Sequence, residues 1–238
     1  MNVNTPPVPS MPVPSALLVA EDLLLLLFDP RSGTIAGEGT LFYTLAGAVL
    51  AELAVEKHVE IGERPGWTGN RVTGDPGRPP ADPLLRDCWE PLTTKPRGAQ
   101  SFLADVGPGL RAPLLDRLVE RGHIRREQRR ALGFIKTTAL VDGGTSHRAE
   151  LVAAVRPVLT DGAEPEPRTA LLAALVSASG SLPILHRDIP WSGAVYKRGK
   201  ELEKGDWGAA AASEAVLRTT LAITLSTLAA TTTIAPHT

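Results

Sequence analysis

Eight cations crowd into residues 109–136: Arg111, Arg117, Arg121, Arg125, Arg126, Arg129, Arg130 and Lys136. Only Asp116, Glu120 and Glu127 oppose them, so the stretch carries +5 in a chain whose formal charge is −1. Guanidinium groups present several donors in a planar fork, the geometry that grips carboxylate and phosphate oxygens. A cationic stretch on a near-neutral protein points to an anionic partner met by one face. The apolar residues Leu132, Phe134 and Ile135 stand at the far end of the same stretch. Charge beside apolar side chains suits a membrane surface better than a free polyanion. A cation near an anionic bilayer contributes on the order of 1 kcal/mol, so five net charges give ~5 kcal/mol, a weak and reversible contact. Burying Phe134 and Ile135 in the acyl boundary adds roughly 1.5–3 kcal/mol each. Charge and insertion together make a usable peripheral contact, and either alone does not. Two plainer readings compete: Arg117 and Arg121 as a solvated helix face, and Phe134 with Ile135 as packing against the core or a neighbouring subunit.

Other residue types with chemical potential are not arranged for it. His58, His123, His147, His186 and His237 stand apart in sequence, with no pair at i,i+4 and no HExxH. Cys88, the single cysteine, excludes an intrachain disulfide and a multi-cysteine metal site, and reads as a small buried residue. The Gly-rich residues 62–77 lack GxGxxG and the P-loop Lys-Ser/Thr. Asp188 lies in an HRD triplet, but a kinase would also need the Gly-rich loop, VAIK and DFG. The expectation is a protein without catalysis, metal or cofactor. A helix followed by a basic hairpin also fits a winged helix, which reads nucleic acid through the helix and touches phosphate with the wing. Against that, the chain as a whole is not basic, and no helix-turn-helix precedes Leu114 at short spacing. A purely protein-interaction module is the other alternative.

The elements that must position the basic stretch are mostly helical. At 238 residues, 43 % hydrophobic and 21 % charged, the chain can bury a substantial core, and 4 % aromatic content with abundant Ala and Leu favours helices over a β-sandwich. Residues 1–15 read as a disordered Pro-rich leader, 16–230 as one helical domain and 231–238 as a tail. Residues 23–28 are apolar but far shorter than the ~20 of a spanning helix, and the N-terminus lacks the features of a signal peptide. A reducing cytoplasm is the simplest setting.

Along the chain, a first buried helix begins near Ser15, and Leu41, Leu45, Val49 and Leu53 step by four within a helix over 40–55. Residues 58–60 suit a short strand, 71–73 a hairpin in the Gly/Pro-rich excursion, and 82–90 a short helix, with 93–98 as a loop. Residues 102–106 lead into the main basic helix, 110–121, stopped by Gly122. Residues 124–126 and 131–135 suit two short strands with 127–130 at their turn. Helices are expected over 147–159, over the all-apolar TALLAALVSASG, which belongs at the centre of a bundle, over 196–203, and from Ala209 with Asp206 as its N-cap. Trp67, Trp89, Trp191 and Trp207 read as anchors, with Trp67 and Trp191 in Gly/Pro contexts open to exposure.

In order along the chain, AEDLLLLLFDPRSGTI, LAGAVLAELAVEKHVEI, DPLLRD, LLDRLVERGHIRRE, EPRTALLAALVSASG, YKRGKEL and SEAVLRT resemble the Golgi phosphoprotein 3 family over residues 16–226, in the form found in actinobacteria. Arg-over-Lys usage fits such a GC-rich bacterial gene. The resemblance implies a mainly α single-domain bundle of amphipathic helices around a buried apolar helix, with a projecting β-hairpin. It implies a non-enzymatic peripheral membrane protein that binds phosphatidylinositol 4-phosphate or similar headgroups, associates with the inner face of the membrane, and holds membrane enzymes by short cytosolic tails. Of the family's four headgroup positions, the nearer Arg falls on Arg111 and is kept; the others fall on Pro108, Ala46 and near Gly37. The expected site is therefore Arg111, with Arg117 further along the helix. Arg125, Arg126, Arg129, Arg130, Phe134 and Ile135 form the membrane-facing hairpin, which is also a possible surface for homo-oligomers. No nucleic-acid partner is expected.

Overall fold

The computed structural model describes residues 16–62, 70–131 and 135–205. The protein is mainly α, about 54 % helical, with seven helices and three small antiparallel sheets among the described residues. The chain opens with α1 (Val19–Leu27), and every one of its residues is buried. Its five consecutive leucines leave no polar face, so the helix packs on all sides, against α2 (Leu41–Val55), α4 (Ala99–Glu120), α5 (His147–Thr160) and α6 (Pro167–Ala178). The expected central helix, α6, is buried from Ala170 to Ser177, but it shares that position with α1. Two short strands, β1 (Phe28–Asp29) and β2 (Thr34–Ile35), follow α1 and close the Asp29–Gly33 turn. There Asp29 accepts from the Ser32 hydroxyl at 2.7 Å and from the Arg31 N–H at 3.0 Å, contacts that hold its carboxyl below the usual range.

A three-stranded sheet joins β3 (Val59–Gly62), β4 (Arg71–Gly74) and β5 (Arg97–Gly98) in that order. It gives the stretch around 71–73 its partner and turns part of the expected loop at 93–98 into strand. Between β4 and β5 lies α3 (Pro83–Thr94), longer than the sequence spacing predicts. Asp82 caps it by accepting from the N–H groups of Leu84 (2.9 Å) and Leu85 (3.3 Å), while Pro83 occupies the first helical position. Trp89 anchors α3 on the sheet by donating from Nε1 to the His58 carbonyl at 2.9 Å.

Two sequence expectations need correction. First, residues 102–106 do not precede a separate basic helix: α4 is continuous over Ala99–Glu120 although it contains Pro108 and Pro113. Phe102, Leu103, Gly107, Leu110, Leu114 and Leu118 form one buried face through both prolines, and that burial outweighs the hydrogen bonds that the prolines cannot donate. Gly122 follows with φ 76° and ends the helix as expected. Second, residues 127–130 are not a turn. They lie in β6 (Ile124–Ala131), which pairs with β7 (Ile135–Asp142) in register from Ile124↔Asp142 to Ala131↔Ile135. The β-branched Thr137, Thr138 and Val141 of β7 supply the strand propensity that the charged β6 lacks. The last described helix, α7 (Gly193–Glu203), packs on α5 and α6. The helix expected from Ala209, its cap Asp206, and Trp67, Trp207 and His237 lie outside the described residues.

Candidate functional site

Arg111 projects from α4 beside Pro108 and Gly109, all three exposed, and it has no ion pair among the described residues. The other matched positions give it no help: Ala46 is fully buried in α2, and Gly37 turns with φ 76° against Ser181. Neither cavity described below reaches Arg111. Six residues on, Arg117 is placed differently. Its Nε donates to Glu21 at 3.1 Å, and its two terminal nitrogens grip Asp82 at 2.9 and 2.6 Å. Arg111 and Arg117 are thus not brought together. One stands in solvent, and the other is clamped between two carboxylates.

On β6, residues 125–129 are all exposed. Strand alternation puts Arg125, Glu127 and Arg129 on one face, where Glu127 lies 3.9 Å from Arg125 and 3.7 Å from Arg129. Arg126, on the other face, reaches back to Asp116 of α4 at 2.5 Å. Arg130 holds the register position opposite Lys136. Phe134 and the side chain of Ile135 lie outside the described residues. Folding also brings two carboxylates to the basic stretch that its own sequence does not contain, Glu21 and Asp82, and these lower its local excess from +5 to +3.

Sequence reading missed a buried polar network centred on Glu21 and Asp22, the two acids that precede the leucine run. Both are buried in the first turn of α1. Glu21 accepts from the Leu18 N–H at 2.8 Å, from Arg117, and faces Arg121 at 3.6 Å. Asp22 bonds His147 Nε2 at 2.7 Å and accepts from Arg168 at 2.7 Å. Glu52 of α2 accepts from the Val19 N–H at 2.9 Å, with Arg168 3.7 Å away. Burial pushes the Glu52 carboxyl up to about 7, against the pull of Val19 and Arg168. Asp82 moves the other way: burial would raise it, but Arg117 and the helix N–H groups outweigh burial and lower it. A signal was available. A helix apolar on every side must carry its first-turn acids inward, and Arg117 and Arg121 lie one turn apart, each three residues after a core leucine, Leu114 and Leu118.

A cavity of about 580 Å³ opens beside this network, lined by Ala16, Leu17, Asp22, Arg121, His123, His147 and Arg168. His123 and His147, distant in sequence, sit with ring centroids 5.2 Å apart. His123 bonds the Thr145 hydroxyl through Nδ1 at 2.7 Å, and burial, with His147 and Arg121 nearby, depresses its pKa. A smaller cavity of about 200 Å³ lies over Glu52, between α2 and α6. No group of three or more potential metal ligands occurs among the described residues, and no helix there is long and apolar enough to cross a membrane. Cys88 is buried, and burial, with Asp87 and Asp82 nearby, pushes its thiol up to about 12, which favours the protonated thiol near neutrality.

No curated protein matches the chain. The family model described as Golgi phosphoprotein 3 (GPP34) matches residues 19–219, from the first residue of α1 to beyond α7. That span holds the buried network, the basic helix and the β6–β7 pair. The chain belongs to the Golgi phosphoprotein 3 family.

Proposed function

We propose that the protein is a peripheral membrane protein that docks on anionic lipid headgroups and serves as an adaptor for the short tails of membrane enzymes. The observation that carries this reading is the set of exposed cations on neighbouring elements, Arg111 on α4 with Arg125, Arg126 and Arg129 on the two faces of β6, in a member of this family. Arg117 is left out of the headgroup site because Glu21 and Asp82 already satisfy its fork. With a local excess of +3, electrostatics supplies ~3 kcal/mol, which holds a protein on a surface only with apolar insertion beside it. Phe134 and Ile135, next to the β6–β7 strand ends, are the proposed wedge. A single unpartnered Arg grips a phosphate oxygen but cannot count the phosphates of an inositol ring. The reading is therefore of anionic lipid in general rather than phosphatidylinositol 4-phosphate in particular, with no catalytic step.

Liposome co-sedimentation tests this. Binding is expected to rise with anionic lipid and fall with salt, and to differ by less than about threefold between phosphatidylinositol 4-phosphate and other anionic lipids at equal charge. Arg111→Ala weakens it modestly, and Phe134→Ala with Ile135→Ala weakens it further. Absence of sedimentation at low salt sinks the proposal and leaves β6–β7 as a subunit contact. Micromolar binding to duplex DNA with a steep salt slope replaces it with the nucleic-acid reading.

A further inference from the structure

Among the described residues the exposed large apolar side chains are Val55, Ile184, Trp191 and Tyr196, and three of these fall between Ile184 and Tyr196. Trp191 is 42 % and Tyr196 51 % exposed, and their rings meet edge-on with centroids 6.0 Å apart. Lys200 Nζ lies 5.7 Å from the Tyr196 ring. The segment is not loosely held: Leu182, Leu185, Ile189 and Val195 are buried beneath it, and Ser192 caps α7 by accepting from the Val195 N–H at 3.2 Å. The aromatic pair is therefore displayed from a fixed support.

Its charge surroundings decide what covers it. The nearby carboxylates are already matched: Asp188 by Arg148 at 2.6 Å, Glu203 by Ser177 and Lys200, and Glu201 by Arg198 at 3.6 Å and Lys197 at 4.0 Å. The exposed Arg187, which acts on Asp29 only at longer range, and Lys204 have no close ion pair among the described residues, and the Lys197 side chain is 83 % exposed. Trp and Tyr rimmed by cations suit the headgroup zone of an anionic bilayer, where the rings leave water while the indole N–H, the phenol and the cations stay wet. Arg148 ties Asp188 to the Phe28 carbonyl of β1, and the adjoining turn at Gly33 abuts Leu140 of β7. The aromatic segment and the base of the β6–β7 pair thus flank one turn.

We infer that Ile184, Trp191 and Tyr196, with Arg187 and Lys197, form a second membrane contact that seats in the headgroup zone of an anionic bilayer. The inference rests on the peripheral-membrane reading and adds a site that the basic stretch does not contain. The test uses the full chain with phosphatidylcholine–phosphatidylglycerol vesicles, with and without brominated acyl chains. Tryptophan quenching is compared between the wild type and Trp191→Phe, and sedimentation between the wild type and the double variant Trp191→Asp, Tyr196→Asp. The expected result is quenching that Trp191→Phe largely abolishes, and a partition coefficient about tenfold lower for the double variant at unchanged circular dichroism. Sedimentation with equal quenching in both proteins overturns this inference and leaves the function standing, whereas no sedimentation removes the function itself. A concentration-dependent blue shift of Trp191 without vesicles, and no lipid quenching, also overturns it by assigning the patch to a second copy of the chain.

Discussion

Arg111 and Arg117 show how little residue type fixes a role. They stand about 1.7 turns apart on one helix, yet only Arg117 turns toward buried acids. Glu21 is completely buried and Asp82 caps α3, so removing Arg117 leaves Glu21 with Arg121 at 3.6 Å and strips Asp82 of its bidentate partner. Breaking a buried pair from one side costs about 3–5 kcal/mol, because the abandoned charge stays desolvated. Arg117→Ala should lower stability by that order in urea unfolding at pH 7, and Arg117→Lys should recover only part of it, since a point cation cannot reproduce the fork. Arg111→Ala should stay within about 0.5 kcal/mol of wild type while weakening vesicle binding. Equal urea midpoints for Arg117→Ala and wild type would deny the clamp any structural weight.

Among the helices, α4 both crosses α2 and supports β6. The crossing depends on Gly107, where an added Cβ would sit 2.5 Å from the Phe42 carbonyl oxygen. A backbone oxygen cannot rotate away, so Gly107→Ala should push the helices apart and cost about 1–3 kcal/mol despite alanine's better helix propensity. Two residues on, Gly109 has open space around its Cβ position. Gly109→Ala should therefore stabilise by up to about 1 kcal/mol. Chemical denaturation of the two variants checks the opposite signs, and a shared sign would place the α2–α4 contact wrongly. The same helix shows what the sequence could disclose. Gly122 disclosed its end. Two prolines hid its continuity, because their effect is local while the burial that overrides them comes from α2. In β6, five exposed positions in a row gave no alternation to read, so only the pairing with β7 fixed its length. Arg111 was legible through a motif, whereas the partners of Arg117 lie on α1 and α3 and required the fold. Trp191 reads first as an anchor, with exposure the alternative that its Pro and Gly neighbours allow; the structure bears out the alternative and adds the contact with Tyr196.

For the whole molecule, the first turn of α1 is the junction: Glu21 reaches α4, Asp22 reaches α5 and α6, and the Val19 N–H reaches Glu52 on α2. Stability should therefore depend on pH as a property of the assembled core. Glu52 is raised from an ordinary 4.5 to about 7, chiefly by burial, with Glu56 and Asp22 adding repulsion against the pull of Val19 and Arg168. A carboxyl with a raised folded pKa holds its proton more tightly in the native state. Its contribution is complete below about 4.5 and is lost as pH rises through about 7, an effect of order 1–3 kcal/mol. Asp82, lowered in the fold, acts oppositely and withdraws its contribution as pH falls below the ordinary carboxylate range. His123, whose pKa the fold depresses, works in the same direction as Asp82 below its ordinary value, so Glu52 is what favours the acidic side and the optimum lies where the two tendencies balance. Glu52→Gln isolates the first effect, because the amide oxygen still accepts from Val19 while Arg168 keeps Asp22 at 2.7 Å. Thermal unfolding at pH 8 should show the variant several degrees above wild type, by about 1–3 kcal/mol, and the two should converge near pH 5. A variant that melts below wild type at pH 8 would mean that Arg168 holds Glu52 as a working ion pair, and the alkaline loss of stability would then need another source.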